Sequence, residues 1–92
     1  MVNTRAHVFV SGLVQGVFFR QSVREQAQNN GVTGWIRNLP DSRVEAVFEG
    51  EENSVKLLAD YCRKGPAEAV IANVEVEFEK FAGEFKNFRI FY

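Results

Sequence analysis

Between positions 12 and 20 the chain reads Gly12-Leu13-Val14-Gln15-Gly16-Val17-Phe18-Phe19-Arg20, an apolar run that enters a glycine-bracketed turn and leads straight into a helix. Glycine at 12 and 16 admits backbone angles closed to other residues, so several consecutive N–H groups are free to point at one spot. Such a concave row of donors binds anions. Arg20, at or beside the first helical turn, adds a permanent positive charge and a planar fork that fits phosphate, and the helix start contributes unpaired N–H groups of its own. These residues describe a small phosphate or carboxylate cradle. They also fit a plainer description, a strand-to-helix turn that needs glycine, followed by a solvated surface arginine.

A second run follows, Gly34-Trp35-Ile36-Arg37-Asn38-Leu39-Pro40-Asp41. Together the two closely resemble the signature segments of the acylphosphatase family. Val44-Glu45-Ala46, Glu49-Gly50 and Cys62-Arg63-Lys64-Gly65-Pro66 are similar to that family as well, so the resemblance covers nearly the whole chain. Two departures touch turn geometry: Ser42 stands where the family commonly has glycine, and Ala67-Glu68-Ala69 replaces a loop often richer in proline and glycine. The resemblance implies a ferredoxin-like fold and hydrolysis of the carboxyl–phosphate bond of acyl phosphates, without cofactor or metal. It also implies that Arg20 and the backbone N–H groups of Gln15, Gly16, Val17, Phe18 and Phe19 hold the phosphate, while Asn38 orients the attacking water. Read from its neighbours alone, Asn38 is a turn former before Leu39-Pro40.

Positioning these residues falls to a definite order of elements. Residues 6–14, apolar on both parities, read as an interior strand. Phe19, Val23 and Ala27 recur every four positions through the polar stretch 20–30, giving a helix with one narrow apolar stripe, ended by Gly31. Residues 32–39 form a second strand, Pro40-Asp41-Ser42 a turn, and residues 43–49 a third strand with Val44, Ala46 and Phe48 on one face and mostly charged residues on the other. Gly50-Glu51-Glu52-Asn53 opens a second helix, signalled by Val55, Leu58, Ala59 and Cys62 and stopped by Gly65-Pro66. Residues 67–72 read as loop or early strand. Val74, Val76 and Phe78 then alternate with Glu75, Glu77 and Glu79, and Phe88, Ile90 and Tyr92 suggest a short closing strand.

This order is the split-βαβ plan: an α+β ferredoxin-like sandwich with two helices on one face of a mainly antiparallel sheet of four to five strands. Strands one and two then run in the same direction with strand three between them, so their ends meet at one rim. With neighbouring strands about 4.8 Å apart, the cradle and Asn38 have backbones about 10 Å apart, a gap that an arginine, a phosphate, a water and an asparagine fill. Asn38 shares strand parity with Ile36 and leans toward the side of the helix start.

A site of backbone donors, one arginine and one asparagine contains neither nucleophile nor strong base. Phosphoryl transfer tolerates this, because donors and a guanidinium around the phosphoryl oxygens supply most of the help available. An acyl phosphate departs as a carboxylate, already stable at neutral pH, and needs no general acid. The competing reading is a non-catalytic phosphate- or small-ligand-binding module of the same ferredoxin-like fold.

Size and charge bound these readings. Ninety-two residues, 46% of them apolar with nine phenylalanines, make one domain over residues 1–92 with a modest core. Eleven Lys and Arg against twelve Asp and Glu, a net charge of −1, provide no broad basic field for nucleic acid or membrane, so any anion site is local. One cysteine, Cys62, builds no disulfide, and residues 1–7 lack the apolar core of a signal peptide; a cytoplasmic monomer is expected. His7, with no carboxylate companion visible in the sequence, reads as a solvent-facing strand residue, and Cys62 as packing within its helix stripe. Glu75, Glu77 and Glu79 read as a solvated strand face, whose regular spacing keeps them from converging on a cation. Trp35 either borders the site or covers sheet surface.

Overall fold

Ala6, Val8 and Val10 share one parity of the first strand, and all three are fully buried, which fixes that strand as the centre of the fold. In the computed structural model, which describes residues 2–92, it is β1 (Asn3–Leu13). Met1, part of the N-terminal stretch considered above, lies outside the described residues. There follow α1 (Phe19–Asn29), β2 (Thr33–Asn38), β3 (Val44–Glu51), α2 (Glu52–Cys62), β4 (Val70–Glu79) and β5 (Phe88–Phe91). The five strands form one sheet in the order β4-β1-β3-β2-β5. β3 pairs antiparallel with both β1 and β2, so the latter two run in parallel and end at the same rim, as the split-βαβ plan requires. Among the described residues, β5 alone pairs in parallel, with β2.

Helices cover one face. Phe19, Val23 and Ala27 of α1 and Val55, Leu58 and Cys62 of α2 bury against Ala6, Val8, Val10, Ile36, Val44, Ala46 and Phe48 of the sheet. Removing each large side chain from water contributes about 1.5–3 kcal/mol. Glu51 ends β3 and also starts α2: its carboxylate accepts the N–H groups of Asn53 at 3.0 Å and Ser54 at 3.2 Å. A hydroxyl contact between Ser22 and Tyr61 ties the two helices together.

The other face of the sheet closes with charge instead of helices. Glu49, fully buried, accepts from the Arg5 guanidinium at 3.4 Å and from the backbone N–H groups of Ala82 at 2.8 Å and Glu84 at 3.3 Å. Arg5 also reaches Glu79 at 3.1 Å and contacts Glu84. Its pairing explains why β1 begins at Asn3, three residues before hydropathy alone indicates. The register continues out to Asn3 opposite Glu51 without a buried apolar side chain at residues 3–5, Arg5 alone of the three forming ion pairs.

His7 requires a correction. Its Nε2 donates to the Glu45 carboxylate at 2.7 Å, with Glu79 at 3.9 Å from Nδ1, so the imidazole does have carboxylate companions. They come from β3 and β4, which flank β1 in the sheet but lie far off in sequence. Arg37 meets the same Glu45 at 2.7 Å from β2.

Candidate active site

β1 delivers the chain to the rim at Leu13, and the buried side chains of Val14 and Phe19 clamp the connection at both ends. Between them the backbone turns left-handed twice, at Gly16 (φ 75°) and at Phe18 (φ 60°, ψ 22°), the residue that caps α1 without a side-chain bond of its own. Left-handed angles at alternate positions curl successive N–H groups inward. No backbone carbonyl among the described residues accepts the N–H groups of residues 15–21. Phe18 holds its strained conformation with a ring 72% exposed, so burial of that ring does not explain it.

A pocket of about 150 Å³ opens over this turn, lined by Val14, Gly16, Phe18, Phe19, Arg20 and Gln21. The first turn of α1 carries no acidic residue, so nothing there cancels the positive end of the helix. Arg20 enters no ion pair among the described residues. Its guanidinium rests instead on two neutral partners from the end of the chain, donating to the Phe91 carbonyl at 3.4 Å and lying 4.8 Å from the centre of the Tyr92 ring. These orient the fork without discharging it. Sequence reasoning missed both partners, which depend on β5 lying beside β2.

Gly12 departs from the sequence reading. It sits inside β1 at a register shift against β4, with φ 128°, and a methyl there would lie 2.1 Å from the Val70 carbonyl oxygen. Close strand approach demands glycine at 12; the anion cradle demands it only at 16, where a methyl would meet nothing within 4 Å.

Asn38 is the last residue of β2, opposite Val44, and its Oδ1 is buried without a hydrogen-bond partner among the described residues. It does not line the 150 Å³ pocket, nor do Gln15 and Val17. The turn after it is closed by Leu39 N–H to the Arg43 carbonyl at 2.8 Å and by the Asp41 carboxylate accepting the Arg43 N–H at 3.1 Å. Ser42 is left-handed at φ 79°, the conformation a glycine would hold without strain. The Gln15 side chain joins this turn to the cradle, donating to the carbonyls of Leu39 at 2.9 Å and Arg43 at 3.1 Å. Nothing in the local pattern pointed to that link, since both acceptors are main-chain atoms more than twenty residues away.

The remaining candidates lie apart. Cys62 is fully buried and burial pushes its thiol up to about 12, so it packs and does not react. Trp35 lies with Phe91, ring centres 5.9 Å apart, and covers sheet surface beside Arg37. Glu75 and Glu77 are exposed on β4, and among the described residues no group of three or more His, Cys, Asp or Glu side chains is arranged to hold a metal ion. A larger pocket of about 350 Å³ runs along β2 and β5 between Trp35, Phe85 and Phe91, and shares no lining residue with the pocket over the β1–α1 turn. No helix among the described residues is long and apolar enough to cross a membrane.

Known proteins carry the same plan. The acylphosphatase family model matches residues 6–90. A curated acylphosphatase of Haloarcula marismortui is 56% identical over 79 residues, 86% of this chain and 87% of that protein. Another, from Pelotomaculum thermopropionicum, is 52% identical over 90 residues, 98% of both. The solved structure of an acylphosphatase from Coxiella burnetii superposes with a TM-score of 0.90 at 42% identity, covering 96% of this chain and 92% of that one. With a cradle of unpaired main-chain donors and an uncancelled arginine on a ferredoxin-like sheet, the chain belongs to the acylphosphatase family, hydrolases of the acyl phosphate bond.

Proposed function

We propose that the protein hydrolyses small acyl phosphates to a carboxylate and inorganic phosphate at the turn between β1 and α1. Arg20 and the backbone N–H groups of Gln15, Gly16, Val17, Phe18 and Phe19 hold the phosphoryl group. Asn38 orients the attacking water, whose proton passes to a phosphoryl oxygen. The observation that carries this reading is the run of N–H groups over residues 15–21 that no backbone carbonyl accepts, beside an arginine with no carboxylate partner. Such donors are aimed before substrate arrives and need no reorganisation as charge develops. The unpartnered Oδ1 of Asn38 supports the water role, because a buried acceptor without a protein donor calls for a water hydrogen. A carboxylate leaves without protonation, which removes the need for a general acid or a metal.

The same reading takes residues 1–92 as one domain and the protein as a cytoplasmic monomer, acting on neither nucleic acid nor membrane. Its acidic sequence pI of about 5.8 and its single thiol support this.

The test is hydrolysis of benzoyl phosphate, followed by loss of its ultraviolet absorbance, with and without chelator. Activity is expected to persist in chelator, and to fall about 10²–10³-fold in Arg20→Ala and in Asn38→Ala with both variants folded, the range for removing one aimed donor from a transition state. Inorganic phosphate bound at Arg20 with no turnover in the parent protein would make it a sensor instead.

A further inference from the structure

We infer that the Gln15 side chain is a positioning residue, which locks the phosphate loop to the β2–β3 turn and so holds Asn38 at a fixed distance from the bound phosphoryl group. The inference rests on the roles given above to Arg20 and Asn38. Arg20 lies in the first turn of α1, just after the β1–α1 turn, and Asn38 is the last residue of β2, opposite Val44 and just before the β2–β3 turn. The sheet fixes the backbone of Asn38, but the loop between β1 and α1 leaves the sheet at the rim, where strand pairing no longer sets its position relative to the β2–β3 turn. β1 and β2 are not neighbours, since β3 lies between them, so no ladder bond runs from one to the other.

Gln15 Nε2 fills that role with both of its hydrogens, one to the carbonyl of Leu39 at 2.9 Å and one to that of Arg43 at 3.1 Å. The two acceptors flank the turn, and Leu39 N–H closes it onto the Arg43 carbonyl at 2.8 Å. Leu39 directly follows Asn38, and the peptide joining them donates its N–H to the same Arg43 carbonyl that Gln15 engages, so the Gln15 amide anchors the turn one residue beyond the water-orienting side chain. The chemistry is selective for glutamine. Two hydrogens on one nitrogen match two carbonyls, asparagine is one methylene shorter, ionised glutamate has no donor, and methionine has the length without the polarity. A misplacement of about 1 Å between a catalytic group and the reacting centre costs on the order of 10²-fold.

Gln15→Met tests the inference on benzoyl phosphate. The expected result is a fall in kcat of tenfold or more. KM and the inhibition constant of inorganic phosphate should stay within about threefold, because the cradle N–H groups and Arg20 remain. In an Asn38→Ala background the same substitution should change kcat by less than about threefold, since no oriented water is left to misplace. A residue that merely stabilised the fold would raise the phosphate inhibition constant as well and would act equally in both backgrounds. Either that result or an unchanged kcat in Gln15→Met overturns the inference. If Gln15→Met does not fold, as judged by thermal unfolding, Gln15→Asn replaces it with the same expected split. Loss of activity in Asn38→Ala with none in Gln15→Met removes only the bridge, whereas full activity in Asn38→Ala removes the role of Asn38 on which the bridge depends.

Discussion

Gly12 and Gly16 sit four residues apart in one motif, yet the structure requires glycine at each for a different reason, and the same substitution should separate them. At Gly12 an alanine methyl would stand 2.1 Å from the Val70 carbonyl oxygen and 2.8 Å from the Ala72 nitrogen, with ordinary contact beginning at 3.4 Å. Both are backbone atoms, so the strands must part by more than an ångström. The pairs Gly12 with Ile71 and Leu13 with Val70 are then lost from the β1–β4 ladder. Two ladder hydrogen bonds at about 1 kcal/mol each, with about 1 kcal/mol for the positive φ, give a loss of about 3 kcal/mol. For a domain of this size that is a fall in Tm of about 12–24 °C. At Gly16 the methyl meets nothing within 4 Å, and only the φ of 75° is unfavourable, at about 1 kcal/mol or a Tm fall of about 4–8 °C. Gly16 lines the anion pocket, however, so there the loss should fall on catalysis, with KM for benzoyl phosphate up about tenfold in a protein that stays folded. Thermal unfolding of Gly12→Ala and Gly16→Ala, with kinetics on the latter, measures both. A smaller Tm loss at 12 than at 16 would refute the assignment of Gly12 to strand packing and Gly16 to the cradle.

Two further outcomes concern the open face of the sheet. Glu49→Ala leaves the N–H groups of Ala82 and Glu84 without their acceptor and takes from Arg5 its one buried partner, and should cost about 3 kcal/mol in urea unfolding; Glu49→Gln, which keeps one acceptor oxygen, should cost less. Equal losses would refute this grading, because glutamine keeps the volume and one acceptor and lacks only the charge and the second acceptor oxygen. For Glu45, burial acts to raise the carboxyl pKa, but hydrogen bonds from His7 and Arg37 outweigh it and hold the pKa below the ordinary 4.5. The unfolded chain therefore takes up the proton first as pH falls. The stabilisation is complete above about pH 4.5 and is lost as pH drops through the lower folded value. Glu45→Gln should accordingly lose less Tm between pH 5 and pH 3 than the parent; an identical loss would mean that the carboxylate has no preferential pairing in the folded state.

What the sequence made legible was whatever a single element carries. The stripe of Phe19, Val23 and Ala27 and the alternation of Val74, Val76 and Phe78 with glutamates are each stated within a dozen residues, and the structure buries the first and forms β4 from the second, with Phe78 left exposed. Contacts supplied by another strand were not legible. Period-two alternation put His7 on the open face, but whether a carboxylate stands beside it depends on the register of β1 against β3 and β4. Only that register brings Glu45 and Glu79 to the imidazole. The Gln15 bridge and the seat of Arg20 on Phe91 and Tyr92 are hidden for the same reason. Asn38 falls between the two cases: its parity was readable, while the lack of a partner for its Oδ1 is a property of the packed structure.

An acidic chain keeps a positive site by where its carboxylates are spent. Arg5, Arg37, Arg43 and Arg63 each have an acidic partner within 4 Å, drawn from the sheet's open face, the β2–β3 turn and the end of α2. The first turn of α1 contains none, and Arg20 is left to a carbonyl and a ring. Neutral partners orient a guanidinium less firmly than a carboxylate does, but they do not lower its attraction for a phosphate dianion. The net charge of −1 and the anion site are thus compatible, because the field over a pocket of about 150 Å³ is set by charges within a Debye length of roughly 8–10 Å rather than by the total. Placing an acid in that first turn, as in Gln21→Glu, would cancel this advantage without touching Arg20 or any backbone donor, and the resulting rise in KM should shrink as salt is added.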